Sequence, residues 1–101
     1  MKREVLERLE EWFESNCDGD WEHGYGIRIE TLDNPGWMLR FDLTGTRLQD
    51  ATVDRVSKNG PNENIWIDYW TDGSTLYLAC GPRSLHDALE IALDLLEDPP
   101  S

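Results

Sequence analysis

Residues Ile65–Cys80 read IWIDYWTDGSTLYLAC, the clearest hairpin pattern in the chain. Side chains alternate apolar and polar on both sides of Asp72-Gly73, a strong signal for a hairpin with a two-residue type I′ turn. That register pairs Ile65 with Cys80, Ile67 with Leu78 and Tyr69 with Leu76, so one face of the hairpin is wholly apolar. The opposite face carries Trp66, Asp68, Trp70, Tyr77 and Ala79. The chain here is antiparallel sheet with one oily side.

Upstream, the same period recurs. Tyr25, Ile27 and Ile29 alternate with Arg28 and Glu30, and Trp37, Leu39, Phe41 and Leu43 alternate with Met38, Arg40 and Asp42. Asn34-Pro35-Gly36 lies between them. A two-residue loop would set Ile29 opposite Arg40, whereas a loop of three, Asn34 to Gly36, sets Ile29 opposite Phe41. The odd loop keeps the apolar side chains together, and Pro-Gly suits a type II turn. A weaker strand is expected near Thr52–Ser57, before the loop KNGPNEN.

Helical spacing brackets these strands. Val5, Leu6, Leu9, Trp12 and Phe13 fall on one face of a helix ending near Ser15, with Glu7, Glu10, Glu11 and Glu14 on the other. Ser84 is a good N-cap for a closing helix, with Asp87 three residues on. Leu85, Ala88, Leu89, Ala92 and Leu96 form its apolar stripe. The expectation is an α+β domain: an antiparallel sheet of four to five strands with an N-terminal and a C-terminal helix packed on one face. With 101 residues, a single domain over 1–98 and a frayed tail over 99–101 are expected.

Charge and composition exclude several function classes. Lys and Arg number 9 against 21 Asp and Glu, a net charge of −12. Residues 1–24 hold eight acids and three bases, and residues 84–101 hold five acids and no base. Direct binding to nucleic acid or to an anionic membrane is disfavoured, because both need positive charge. A basic protein partner would be drawn in; the alternative is that the acids serve solubility alone. No stretch reaches the length of a membrane span, and the opening MKREVLERLEEW is amphipathic and charged, unlike a signal peptide. A cytoplasmic location with Cys17 and Cys80 reduced is expected.

Chemistry-bearing patterns are few. In DGDWEHG, Asp18, Asp20 and Glu22 match the first acidic positions of a calcium loop, but His23 stands where glycine is needed and Ile29 where a bidentate glutamate is needed. Cys17, Asp20 and His23 have no second ligand pair at metal spacing, so neither a metal nor a cofactor is implied. Cys80 in CGPRSLH sits between strand and helix, yet Arg83 comes too soon for a phosphate-type thiol loop, and the hairpin turns Cys80 inward. No catalytic set emerges. Trp66, Asp68, Trp70 and Tyr77 form an aromatic and acidic patch of the kind that anchors interfaces, unless the loop before Ile65 or a dimer mate covers it.

The runs Cys17-Asp18-Gly19-Asp20-Trp21-Glu22-His23, Tyr25-Gly26-Ile27 and Ile29-Glu30-Thr31-Leu32-Asp33-Asn34-Pro35-Gly36-Trp37 resemble the signature of the immunity protein 53 family. The resemblance extends to the leading EEWF helix, the strand ending DLTGT and Gly81-Pro82 before the last helix. It implies a small cytoplasmic protein of a bacterial polymorphic-toxin system that binds and neutralises a cognate toxin domain. Apart from the resemblance, the chain is expected to be a monomer or a homodimer. It carries over no catalytic residue. An acidic domain suits a basic nuclease as the toxin, since carboxylates would occupy its phosphate sites. Two readings of the signature stand. Asp20, Glu22 and His23, with Asp33 on the turn, frame the toxin contact; or the motif is structural, through Trp21, Tyr25, Gly24, Gly26, Asn34, Pro35, Gly36 and Trp37. Outside the family reading stand a protein-binding adaptor unconnected with a toxin, and a small enzyme using Cys80 or the Glu22/His23 pair.

Overall fold

A computed structural model of the protein describes residues 4–97; the tail 99–101 lies outside them. The elements are α1 (Val5–Asn16), α2 (Trp21–Gly24), β1 (Ile27–Leu32), β2 (Gly36–Asp42), β3 (Val56–Asn59), β4 (Trp66–Thr71), β5 (Thr75–Cys80) and α3 (Leu85–Glu97). The strands form one antiparallel sheet in the order β1-β2-β5-β4-β3. Helices α1 and α3 pack together on one side of it, giving the expected α+β architecture with five strands.

The alternation assigns the faces correctly. Leu39, Phe41, Leu76, Leu78 and Cys80 are fully buried under the helices, where the two central strands β2 and β5 run side by side. From α3 they receive Ala88, Leu89, Ala92, Leu93 and Leu96. From α1 comes Trp12, set edge-on against Phe41 at 5.8 Å.

Both hairpin registers differ from expectation by two residues, which preserves the faces. Ile67 pairs with Cys80, Tyr69 with Leu78 and Thr71 with Leu76, so the turn is centred on Gly73-Ser74 and not on Asp72-Gly73. Gly73 alone has a positive φ, +93°, as a turn with glycine first requires. Asp72 is fixed instead as the turn's acceptor, its carboxylate taking the N–H groups of Ser74 (2.9 Å) and Thr75 (2.8 Å). In the first hairpin Ile29 pairs with Leu39 and Leu32 with Gly36. The odd loop is therefore Asp33–Pro35, and Gly36 belongs to β2. The reason is space: a Cβ on Gly36 would collide with the Cys80 carbonyl oxygen.

Three other expectations shift. Strand β3 is Val56–Asn59 and not Thr52–Ser57, because residues 43–55 cross one end of the sheet and fasten there. Leu43 and Leu48 of this crossing are buried, and the Thr71 hydroxyl donates to the Ala51 carbonyl and accepts the Val53 N–H. On α1, Leu6 and Phe13 face outward, while Arg8 is buried and donates to Asp94 (2.8 Å) and Glu97 (3.1 Å) of α3. The stripe facing α3 is thus Val5, Arg8, Leu9 and Trp12. Finally, Ser84 precedes α3 as expected, but only its carbonyl caps, accepting the Ala88 N–H. The Gly81–Ser84 turn seats its hydroxyl in the core, without a hydrogen-bond partner among the described residues.

Candidate functional site

The signature run Cys17–Tyr25 folds into a tight connection around α2. Asp18 accepts the N–H groups of Asp20 and Trp21, both at 2.9 Å, and Glu22 reaches back to the N–H groups of Asp18 (3.0 Å) and Gly19 (2.9 Å). The two carboxylates lock one turn reciprocally, in the manner of a capping box. Their pKa values fall below the ordinary range. For Asp18 the leading cause is the Trp21 N–H, and for Glu22 its own N–H, followed by those of Asp18 and Gly19. The lock drives Trp21 inward, where it is 6% exposed. There its ring meets Trp12 edge-on at 5.9 Å and its Nε1 donates to the Thr44 carbonyl at 2.8 Å. Tyr25 and Phe13 pack on either side of the same indole yet stay largely exposed.

This arrangement separates the residues grouped as one contact. Asp20, Glu22 and His23 share the α2 turn, with Asp20 and His23 exposed. Asp33 lies beyond the far end of β1, a strand length of about 20 Å away. Its chain neighbours Asn34 and Pro35 line a concavity with Asn64 and Trp66.

The outer face of the sheet does gather Trp66, Asp68, Trp70 and Tyr77, all half-buried. Trp70 and Tyr77 are directly opposed and stacked at 5.3 Å with rings 17° apart. The guanidinium of Arg55 lies 4.9 Å over Trp70 and pairs with Asp68 at 2.8 Å. Burial raises the Asp68 pKa, but the Arg55 and Ser57 hydrogen bonds outweigh it, and the net shift is downward. Further along this face Arg40 stands opposite Tyr77 and Arg28 opposite Arg40. With three arginines beside its carboxylates, the face is aromatic and of mixed charge, not acidic.

The acidic surface lies on the helices. Leu6, Glu10, Phe13 and Glu14 fall on one strip of α1, all exposed, and Asp18 and Asp20, exposed as well, follow in the chain. Leu6, Phe13, Tyr25 and Ile29 are the large hydrophobics most exposed to solvent. The helical period puts Leu6 and Phe13 on the apolar face, but Phe13 leans on Trp21 and Leu6 lines an open concavity with Arg8, Leu85 and Leu89, so both keep solvent contact.

Cys80 is fully buried, and burial pushes its thiol up to about 11 against a smaller opposing effect of the Trp37 N–H. Cys17 is also shifted upward, by desolvation first and then by Glu22, Glu14 and Asp18, and its Sγ donates to the Phe13 carbonyl. Both shifts disfavour the thiolate. Among the described residues one set of metal-type ligands converges: His86, Asp87 and Glu90 of α3, within 4.8 Å of one another and at least partly exposed. The i, i+4 spacing of His86 and Glu90 was the signal for it. No helix among the described residues is long and apolar enough to cross a membrane.

Fold and surfaces together define a small acidic α+β domain whose chemistry is at its surface. The chain belongs to the immunity protein 53 family, whose family model matches residues 6–97. No curated protein and no solved structure matches it.

Proposed function

We propose that the protein is an antitoxin of a bacterial polymorphic-toxin system, acting in the cytoplasm without catalysis by capping a cognate toxin domain. Family membership supports the toxin partner. The observation that carries the choice of surface is the exposed strip Leu6, Glu10, Phe13 and Glu14, joined through the Trp21 indole to the exposed Tyr25 of the α2 turn, which also exposes Asp18, Asp20 and His23. It offers apolar anchors ringed by carboxylates, the composition that a basic, phosphate-binding surface would meet. A nuclease is the toxin chemistry this suits: the carboxylates would stand where the toxin holds phosphates. A second reading places the contact on the outer sheet face, favoured by the stacked and half-exposed Trp70–Tyr77 pair.

Calorimetric titration of the toxic domain encoded beside this gene, with its activity assayed in parallel, tests both. We expect tight 1:1 binding that abolishes activity and weakens steeply with salt. Joint Glu10→Lys and Glu14→Lys substitutions should weaken binding at least about tenfold, and Trp70→Ala should leave it nearly unchanged. The opposite pattern moves the contact to the sheet face. Absence of binding at any salt removes the antitoxin reading for that pair.

A further inference from the structure

The two edges of the sheet are unlike. Strand β3 has four residues, turns the charged Lys58 toward the helix side and runs directly into Gly60-Pro61, devices that discourage pairing with another chain. Strand β1 has six residues, IRIETL, with neither proline nor lysine and no bulge in its ladder. Its Ile29 is 40% exposed even though it shares the helix side with Leu39, its partner on β2. The hydrogen-bonding direction of β1 is also fixed. The Asp42 N–H donates to the Gly26 carbonyl, so even-numbered residues bond inward to β2. Ile27, Ile29 and Thr31 therefore present their N–H and C=O groups outward.

We propose that β1 pairs with β1 of a second copy of this chain, antiparallel about a two-fold axis at Ile29, joining two sheets into one of ten strands. The sequence of the strand is complementary to itself in that register. Ile29 meets Ile29 of the second copy and Ile27 meets Thr31, each as a pair exchanging two backbone hydrogen bonds. Arg28 then stands opposite Glu30 on the other face, in the closer, non-hydrogen-bonded pairs, twice by symmetry. Glu30 already accepts from Arg40 at 2.8 Å, so each Glu30 would lie between two guanidinium groups, and each Arg28, now opposite Arg40, would gain a carboxylate. In a chain of net charge −12, this register would set the strand's one carboxylate, Glu30, against a guanidinium of the second copy. A single strand pair buries a small area, so the association is weak and concentration-dependent.

Sedimentation equilibrium of the full chain without toxin, from about 10 μM to about 1 mM and near physiological salt, should show a monomer–dimer equilibrium. Arg28→Glu alone and Glu30→Arg alone should each weaken it at least about tenfold, and an equimolar mixture of the two variants should recover a heterodimer. The mixture also controls for folding, since an unfolded variant could not pair. In the unmodified chain, hydrogen-exchange protection of the Ile27, Ile29 and Thr31 amides should rise with concentration. A monomer throughout the range overturns the proposal, as does a dimer indifferent to both charge reversals. The proposal stands apart from the antitoxin reading, which needs the toxin to test it.

Discussion

Gly36 and Gly24 belong to the same signature but answer to different constraints. A side chain at Gly36 would strike the backbone of Cys80, so β2 and β5 can close on each other only with glycine there. Gly24 has nothing within 4 Å of the position a Cβ would take. Gly36→Ala should therefore lose about 2 kcal/mol of stability, as overpacking between two backbones does, while Gly24→Ala stays within about 0.5 kcal/mol. Urea denaturation of the two variants checks this, and equal effects would contradict the crowding argument. Signature residues of the first kind are legible in the sequence as glycine beside a turn; which glycine is crowded is not, because the crowding atom belongs to a residue 44 positions away. The lock between Asp18 and Glu22 was hidden for a related reason. Read along the chain these are surface acids, and only the one-turn α2 brings their oxygens onto backbone N–H groups.

At the scale of elements, period and register behave differently. An alternation of two assigns each side chain to a face, and this holds for all of Trp66, Asp68, Trp70 and Tyr77. Slipping a hairpin by two residues leaves that assignment intact, so hydrophobic pattern alone is blind to it. The turn decides, and here Asp72 works as a side-chain acceptor outside the two central positions. Gly73 carries the positive φ, whereas the neighbouring crossing places Asp50 at φ +66° with its N–H on the Gly73 carbonyl. Gly73→Ala should lower stability by about 1 kcal/mol and Asp50→Gly should leave it unchanged or slightly raised, readable as opposite shifts in thermal midpoint. The partners of the aromatic face, Arg55 above all, come from the crossing and have no periodicity to announce them. Nor does Leu48, a core residue outside any strand or helix.

Across the described residues as a whole, charge is distributed by layer: an excess of carboxylates on the helices and the α2 turn, mixed charge on the outer sheet face. Several of these carboxylates are part of the fold. Asp18, Glu22 and Asp72 are all held below their ordinary values of 3.8, 4.5 and 3.8, in each case by backbone N–H groups. A depressed folded-state pKa means that the unfolded chain binds protons first as pH falls. The stabilisation is complete above the ordinary values and is lost as pH drops through them toward the folded-state ones. Urea midpoints should accordingly be flat from about pH 7 to about pH 5.5 and fall steeply below about pH 4.5. Asp18→Asn with Glu22→Gln should start lower and show a shallower acid limb; an unchanged limb would mean that the turn does not sense protons. The order β1-β2-β5-β4-β3 has a consequence in time. Strand β2 finds its inner neighbour in β5, with Trp37 opposite Cys80, so the central ladder joins segments that are made far apart. Until β5 exists, the first hairpin waits with Leu39 and Phe41 bare and both its edges open. Each hairpin can form locally; the sheet closes slowly and late, and a nascent chain carries its stickiest surface from the end of β2 until β5 is made.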